Sequence, residues 1–318
     1  MLRFLLRRIS FGILVLLIVS VVVFALFFMS RDPALSFCGK NCSPERLAIV
    51  KRALFLNESY PAQYWHFLSQ LVHGNLGYSF SSGMSVNAIL GQGLPATASL
   101  AVGAAVLWLA MGIPIGITAA TKPRSVRDRF ATVFALTGLS LPSFVVGLVL
   151  LDLLFYQLTV HNLRWFPPAG YVSLTQDPWQ WARHLILPWI TLAFVTAASY
   201  ARLTRASMLE VLGEDYIRTA RAKGLSERAV IYRHALRSAL TPVVTLLGID
   251  VGTLLGGTVV TERLFGLQGV GQTAVTSVFN SDLPVVMGTV IVAAFFIVVA
   301  NILVDITYAV LDARVRLA

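Results

Sequence analysis

The stretch LPVVMGTVIVAAFFIVVANILV at positions 283–304 contains no Asp, Glu, Lys, Arg or His. A helix rises about 1.5 Å per residue, so roughly 20 such residues span the ~30 Å hydrocarbon core of a bilayer. Five further runs read the same way, at 9–29, 98–120, 131–151, 185–201 and 240–261. The fourth is the shortest and contains Pro188, and it borrows length from the residues behind it. Only 240–261 carries a charge inside the run, Asp250, whereas Asp152 and Asp305 stand just past the ends of theirs. Lipid offers the backbone no hydrogen-bond partners, so runs of this kind are helices. The expected fold is an all-α polytopic membrane protein with six spans.

Composition points the same way. Of 318 residues, 57% are hydrophobic and 13% charged. A soluble domain carries about a quarter of its residues as charges. A soluble enzyme, a disordered chain and a disulfide-stapled secreted module are all excluded on that ground. The net charge of +10 would suggest nucleic acid in a soluble protein, but in an apolar chain the cations mark cytoplasmic loops. Seventeen of the 25 Lys and Arg lie before the first run, between the second and third, between the fourth and fifth, and after the sixth. Both termini are therefore expected in the cytoplasm and 30–97 outside, with no nucleic-acid partner. The basic start, through Arg3, Arg7 and Arg8, reads as a retained anchor. The tryptophans of 163–183 (Trp165, Trp179 and Trp181) fit an interfacial belt. The chain divides at 97, into a first helix with its outer segment (1–97) and a five-helix core (98–318).

One loop is unlike a connector. Residues 202–241 hold eight of the cations and follow helical periodicity, with Met208, Leu209, Val211, Leu212, Tyr216, Ile217 and Ala220 on one stripe. Glu214 and Arg218 stand at i, i+4 in the favourable order. Gly224 is placed to stop the helix behind a cationic last turn, and Leu225 or Ser226 can start another running to Pro242. A helix–Gly–helix elbow is a rigid lever, suited to insertion into a partner.

Its residues carry a resemblance. Asp215-Tyr-Ile-Arg-Thr-Ala-Arg-Ala-Lys-Gly-Leu-Ser-Glu227, followed by His234-Ala-Leu-Arg-Ser-Ala-Leu-Thr-Pro-Val-Val, resembles the "EAA" loop of permease subunits in binding-protein-dependent ABC importers. More narrowly, the chain is similar to the B-type permease of dipeptide and oligopeptide importers. Matching pieces include Gly74-Asn-Leu-Gly-Tyr-Ser, Leu94-Pro-Ala-Thr, Ser125-Val-Arg-Asp-Arg, Gly138-Leu-Ser-Leu-Pro-Ser-Phe, His184-Leu-Ile-Leu-Pro, and Asn301 with Asp305 and Tyr308. Departures are Arg218-Thr-Ala where the broad family writes Glu-Ala-Ala, and Gln268-Gly-Val-Gly in place of a Pro-Gly pair. The resemblance implies a type I importer permease in a bacterial plasma membrane, not itself an enzyme. It implies as partners a homologous second permease, two ATPases that bind ATP and magnesium, and an extracytoplasmic substrate-binding lipoprotein. It implies that Asp215, Thr219, Ala220, Arg221, Lys223, Gly224, Leu225 and Glu227 couple to an ATPase. It leaves dipeptides, longer peptides, nickel chelates, glutathione and haem open as cargo.

The remaining candidates come from the residues themselves. No Gly-x-x-x-x-Gly-Lys-Ser/Thr loop exists in the chain, so ATP hydrolysis of that type belongs to another polypeptide. Gly248, Gly252 and Gly256 form a small-residue ridge, either packed inside the subunit or bordering the pore or second permease. Asp250 either holds a substrate ammonium or makes an interhelical hydrogen bond. Glu262 and Arg263 open an outer loop, as contacts for substrate or binding protein or as plain surface. Asp305 and Asn301 read as ties at the end of the last span. Cys38 and Cys42 permit a disulfide if the chain turns at Gly39 and Asn41, with free thiols as the other reading. The five histidines show no ligand spacing, so no metal is expected. A stand-alone secondary transporter would need an inverted repeat, and an intramembrane enzyme would need a nucleophile–base or metal constellation. The sequence contains neither.

Overall fold

The first apolar run is helix α1 (Leu2–Met29). Two short helices, α2 (Pro44–Ala53) and α3 (Tyr60–Val72), follow it, then an antiparallel ribbon of β1 (Tyr78–Ser79) and β2 (Met84–Ser85). The long α4 (Val86–Thr121) precedes α5 (Val126–Ser140), α6 (Ser143–Leu150), a π-helical turn at Leu151–Tyr156 and α7 (Gln157–Val160). Next come α8 (Pro178–Leu212), α9 (Asp215–Ala222), α10 (Glu227–Ala229), a second π-helical turn at Val230–Ala235 and α11 (Leu236–Ala239). The chain closes with α12 (Thr241–Leu255), α13 (Val259–Leu264), α14 (Val270–Phe279) and α15 (Leu283–Leu311). This computed structural model describes residues 2–29, 34, 43–53, 55–79, 81–163, 165–167, 169–255 and 258–311. Cys38, Cys42 and Gly256 lie outside the described residues. Among the described residues, five helices are long and apolar enough to cross a membrane, and the pair Glu227–Ala239 and Thr241–Leu254, bent by 50°, makes a sixth when it is counted as one span.

The centre is the parallel pair α4 and α8. Without a hydrophobic drive between helices in lipid, close backbone approach does the holding, and small residues on α4 allow it. A Cβ on Gly112 would stand 2.9 Å from the Ala197 carbonyl oxygen, and one on Gly116 would stand 2.7 Å from that of Ala201. Trp108 and Tyr200 are fully buried between them, and Trp189 Nε1 donates to Ser99 O at 2.9 Å. Helix α15 lies against α12 on one side and α1 on the other, where Arg8 Nε meets Asp305 Oδ2 at 3.0 Å. Asp305 is thus tied to the first span and not to the end of its own helix, which runs on to Leu311.

The third apolar run, expected at 131–151 as one helix, is two. Pro142 lacks an N–H and pushes Leu141 out of the helical region, to φ −96° and ψ 125°. The halves still run antiparallel to α8: Asp128 pairs with Arg205, the Phe134 and Phe194 rings meet edge-on at 5.5 Å, and Gly147 lies over Thr191. On α8 itself, Arg205 and His184 are separated by about 31 Å of helical rise, one hydrocarbon thickness. Those two residues bracket the apolar stretch of α8. The fifth run, expected at 240–261, is also shorter than read, because α12 ends at Leu255 and α13 follows separately.

Candidate functional site

The elbow sits at the Arg205 edge. The chain leaves α8 through Gly213, and Glu214 is extended (φ −69°, ψ 148°), so α9 starts in a new direction. Asp215 in the first turn and Arg221 in the last suit the helix dipole. Gly224 takes φ +76°, and two reverse bonds close the end: Leu225 N–H to Ala220 O at 3.4 Å, and Gly224 N–H to Arg221 O at 2.9 Å. This is the Schellman pattern, which satisfies carbonyls the helix would otherwise leave open. Ser226 then accepts the Ala229 N–H at 3.4 Å and starts the return helix.

An eight-residue helix is not stable by itself in water, so packing holds this one. Ile217 is fully buried and Ala220 nearly so, in a cluster with Ile117 and Ala120 of α4, Met208 of α8, and Val230, Ala235 and Ala239 of the return. Asp215, Thr219, Arg221, Lys223, Gly224, Leu225 and Glu227 are exposed. The eight expected residues therefore separate into seven that face outward and Ala220, which is part of the foot. Arg221 Nε meets Glu227 Oε1 at 2.8 Å across the elbow, and Tyr216 Oη donates to Ser238 Oγ at 3.1 Å. Arg218 reaches Asp215 at 3.4 Å and not Glu214 as its spacing suggested, because Glu214 precedes the helix. The result is a polar, exposed prominence fixed by an apolar foot to α4, α8 and the return helix. It can seat in a groove and pass a displacement to those helices.

A brace beside it was missed in the sequence. Asp128 accepts Arg205 Nε at 2.6 Å and Nη2 at 3.1 Å, and also the Arg124 N–H at 2.9 Å. The bonds from Arg205, and then from Arg124, hold the Asp128 carboxyl below the usual carboxylate range. The helix-start pattern Ser125-Val-Arg-Asp128 was the available signal; Ser125 Oγ accepts the Asp128 N–H.

The other candidates scatter. Asp250 Oδ2 accepts the Tyr200 hydroxyl at 2.8 Å, an interhelical bond between α12 and α8. Gly248 faces Val304, and Gly252 faces Ile297 and Ala300, both on α15 of the same chain. Glu262, expected on an outer loop, is fully buried. Its Oε1 accepts Thr97 Oγ1 and its Oε2 accepts the Gln272 N–H, each at 2.8 Å, while Thr97 Oγ1 in turn accepts the Val270 N–H at 2.9 Å. The carboxylate thus caps the N-terminus of α14 from outside that helix. Burial pushes its pKa up, against the bonds from Gln272, Thr97 and Gly271. Gly269 is required beneath it, since a Cβ there would overlap the carboxylate. Among the described residues no group of three His, Cys, Asp or Glu could hold a metal ion.

Comparison with known proteins accounts for nearly the whole length. Residues 112–317 match the family described as the binding-protein-dependent transport system inner membrane component, and 1–101 match the N-terminal family of such membrane components. The chain is 39% identical to a dipeptide transport system permease protein of Escherichia coli K12, over 99% of both chains. It is 40% identical to a putative peptide transport system permease protein of Brucella abortus, over 98% of both. Identity is 37% to a probable peptide ABC transporter permease of Sinorhizobium fredii, over 98% of this chain and 99% of the relative. Among solved structures, a chain of the MetNI methionine ABC transporter, inward facing, superposes with a TM-score of 0.52. That likeness has 17% identity and covers 70% of this chain and 96% of the other, so it speaks to the fold alone.

Proposed function

The chain belongs to the family of binding-protein-dependent transport system inner membrane components, and from that membership we propose that it is the permease subunit of an ATP-driven peptide importer. It forms half of the translocation pathway, beside a homologous second permease. Two ATPase subunits bind ATP and magnesium, and a substrate-binding lipoprotein delivers peptide from outside. The chain lies in a bacterial plasma membrane with both termini, the Asp128–Arg205 brace and the elbow on the cytoplasmic side. The peptide cargo is read from the relatives named for peptide and dipeptide transport.

The observation that supports coupling is the elbow: seven exposed residues between Asp215 and Glu227 on a foot anchored to α4 and α8. ATPase closure on ATP moves the elbow, and the helix bundle responds by choosing between two packings open to opposite sides. The test is isolation of tagged chain in mild detergent, with uptake measured in cells lacking it. Co-purifying ATPase and loss of di- or tripeptide uptake are expected. Isolation without an ATPase, together with uptake that survives ATP depletion, would overturn the reading. Competition by haem, glutathione or a nickel chelate in place of peptides would move the cargo elsewhere within the same importer class.

A further inference from the structure

Helix α3 (Tyr60–Val72) belongs to the segment expected outside the membrane, yet it contains no Asp, Glu, Lys or Arg. Its polar residues Gln63, His66 and Gln70 recur at i, i+3 and i+7. Pro61, Trp65, Leu68 and Val72 recur at i, i+4, i+7 and i+11, so the two sets hold opposite faces. In an appendage surrounded by water the polar face would turn outward. Here it turns inward. Gln63, His66 and Gln70 line, with Pro284 and Met287 of α15, a cavity of about 490 Å³. Gln63 is buried, with Nε2 donating to Glu58 O at 2.7 Å. His66 Nε2 meets Glu58 Oε2 at 3.2 Å, and its ring stacks on Phe55. The apolar face is left outside, with Trp65 68% and Val72 77% exposed.

The level of α3 is set by α1, whose apolar run begins directly after Arg8. Ser20 stands about 18 Å of helical rise beyond Arg8 and Phe24 about 24 Å, both inside a hydrocarbon layer of ~30 Å. Any tilt of α1 lowers these heights. Tyr64 Oη and Ser20 Oγ share a hydrogen bond at 2.9 Å, and the Phe24 ring meets Tyr64 edge-on at 5.3 Å and Phe67 at 5.8 Å. A helix held above the headgroups does not make these contacts. The exposed stripe of α3 therefore stands at the depth where Val22 and Leu26 of α1 are exposed to lipid. Tyr60 and Trp65 are also the aromatic types that settle at the membrane boundary.

We propose that α3 is an interfacial helix sunk into the outer leaflet, with Trp65, Leu68 and Val72 against lipid chains and Gln63, His66 and Gln70 toward the last span. The occupant of the stripe is the bilayer. This requires only a membrane-spanning chain and is independent of cargo and of ATP. Two measurements on the full complex in proteoliposomes test it. In the first, the parent chain is irradiated with a phosphatidylcholine carrying a diazirine on its acyl chain, and adducts are mapped by peptide mass spectrometry. Adducts on 61–72 as well as on α1 are expected; adducts on α1 with none on 61–72 overturn the proposal. In the second, nitroxide labels are placed through Trp65→Cys, Val72→Cys or Gln70→Cys, each in a Cys38→Ser, Cys42→Ser chain whose melting curve and subunit composition match the parent. Lipid concentrates oxygen and excludes a water-soluble nickel chelate, so the ratio of oxygen to nickel collisions should be at least about threefold higher at 65 and 72 than at 70. A smaller difference overturns the proposal. Frequent nickel collisions at 65 and 72 would then show a stripe open to water, and few collisions with either probe would show one covered by a protein partner.

Discussion

Gly224→Ala is the sharpest test of the elbow, because the structure isolates a single cause. Nothing lies within 4 Å of the Cβ this change would add, so no steric term inside the chain contributes. What remains is the backbone: φ is +76°, where an L-residue with a Cβ is disfavoured by about 1–2 kcal/mol. That lowers the ratio of closed to opened turn by roughly 5- to 30-fold. The foot through Ile217 should keep α9 in place, so the complex still assembles while the angle between α9 and α10 loses definition. Substrate-stimulated ATPase in proteoliposomes should fall several-fold, with basal ATPase and docking of the binding protein unchanged. Gly224→Asn is the control, since Asn tolerates this region far better than Ala and is larger. Recovery with Asn identifies backbone conformation as the cause. Equal loss with Ala and Asn would mean that the missing side chain matters to the partner's surface instead. Parental coupling in Gly224→Ala would refute the lever reasoning altogether.

Three further outcomes follow from the same geometry. Ile217→Ala empties a fully buried position in the foot and should cost about 2–4 kcal/mol locally; ATPase co-purification should weaken while the melting temperature of the whole chain moves little. The Asp128 carboxyl is held below its ordinary range by Arg205, so its contribution to stability is complete above the unfolded carboxylate pKa and is lost as pH falls through the folded one. Melting curves should show the parent converging on Asp128→Asn only at acid pH, and a constant gap down to pH 3 would contradict the pairing. Gly269→Ala should collide with the Glu262 carboxylate. In a double-variant cycle it should cost less when Glu262 is already Ala, and strict additivity of the two melting shifts would show that the side chains do not meet.

What the sequence discloses and what it withholds divide by range of interaction. The six apolar runs and the helix break at Gly224 are local facts, written in hydropathy and in a residue type that tolerates positive φ, and they were legible. So was the return helix beginning at Ser226, whose hydroxyl caps it. The break of the third span was marked locally by Pro142, yet uninterrupted hydropathy across 131–151 hid it, since lipid transfer is indifferent to a turn that proline permits. Glu262 shows the opposite failure. An acidic residue just past an apolar run reads as surface, and only folding brings Thr97, 165 positions away, against it along with the N-terminus of α14. A carboxylate can be buried there because the helix end supplies N–H donors that lipid cannot, and nothing local to Glu262 announces them. Asp128 and Arg205, 77 positions apart, follow the same rule: each looked like one more cytoplasmic charge, and their pairing exists only because α5 and α8 run side by side. The elbow was readable because its chemistry is contiguous, eight positions within thirteen residues of chain. Its foot was not, because Ile117 and Ala120 arrive from a helix that ends nearly a hundred residues earlier. The coupling proposed for the elbow would therefore rest on a surface that the loop alone specifies and on a foundation that only the assembled bundle provides.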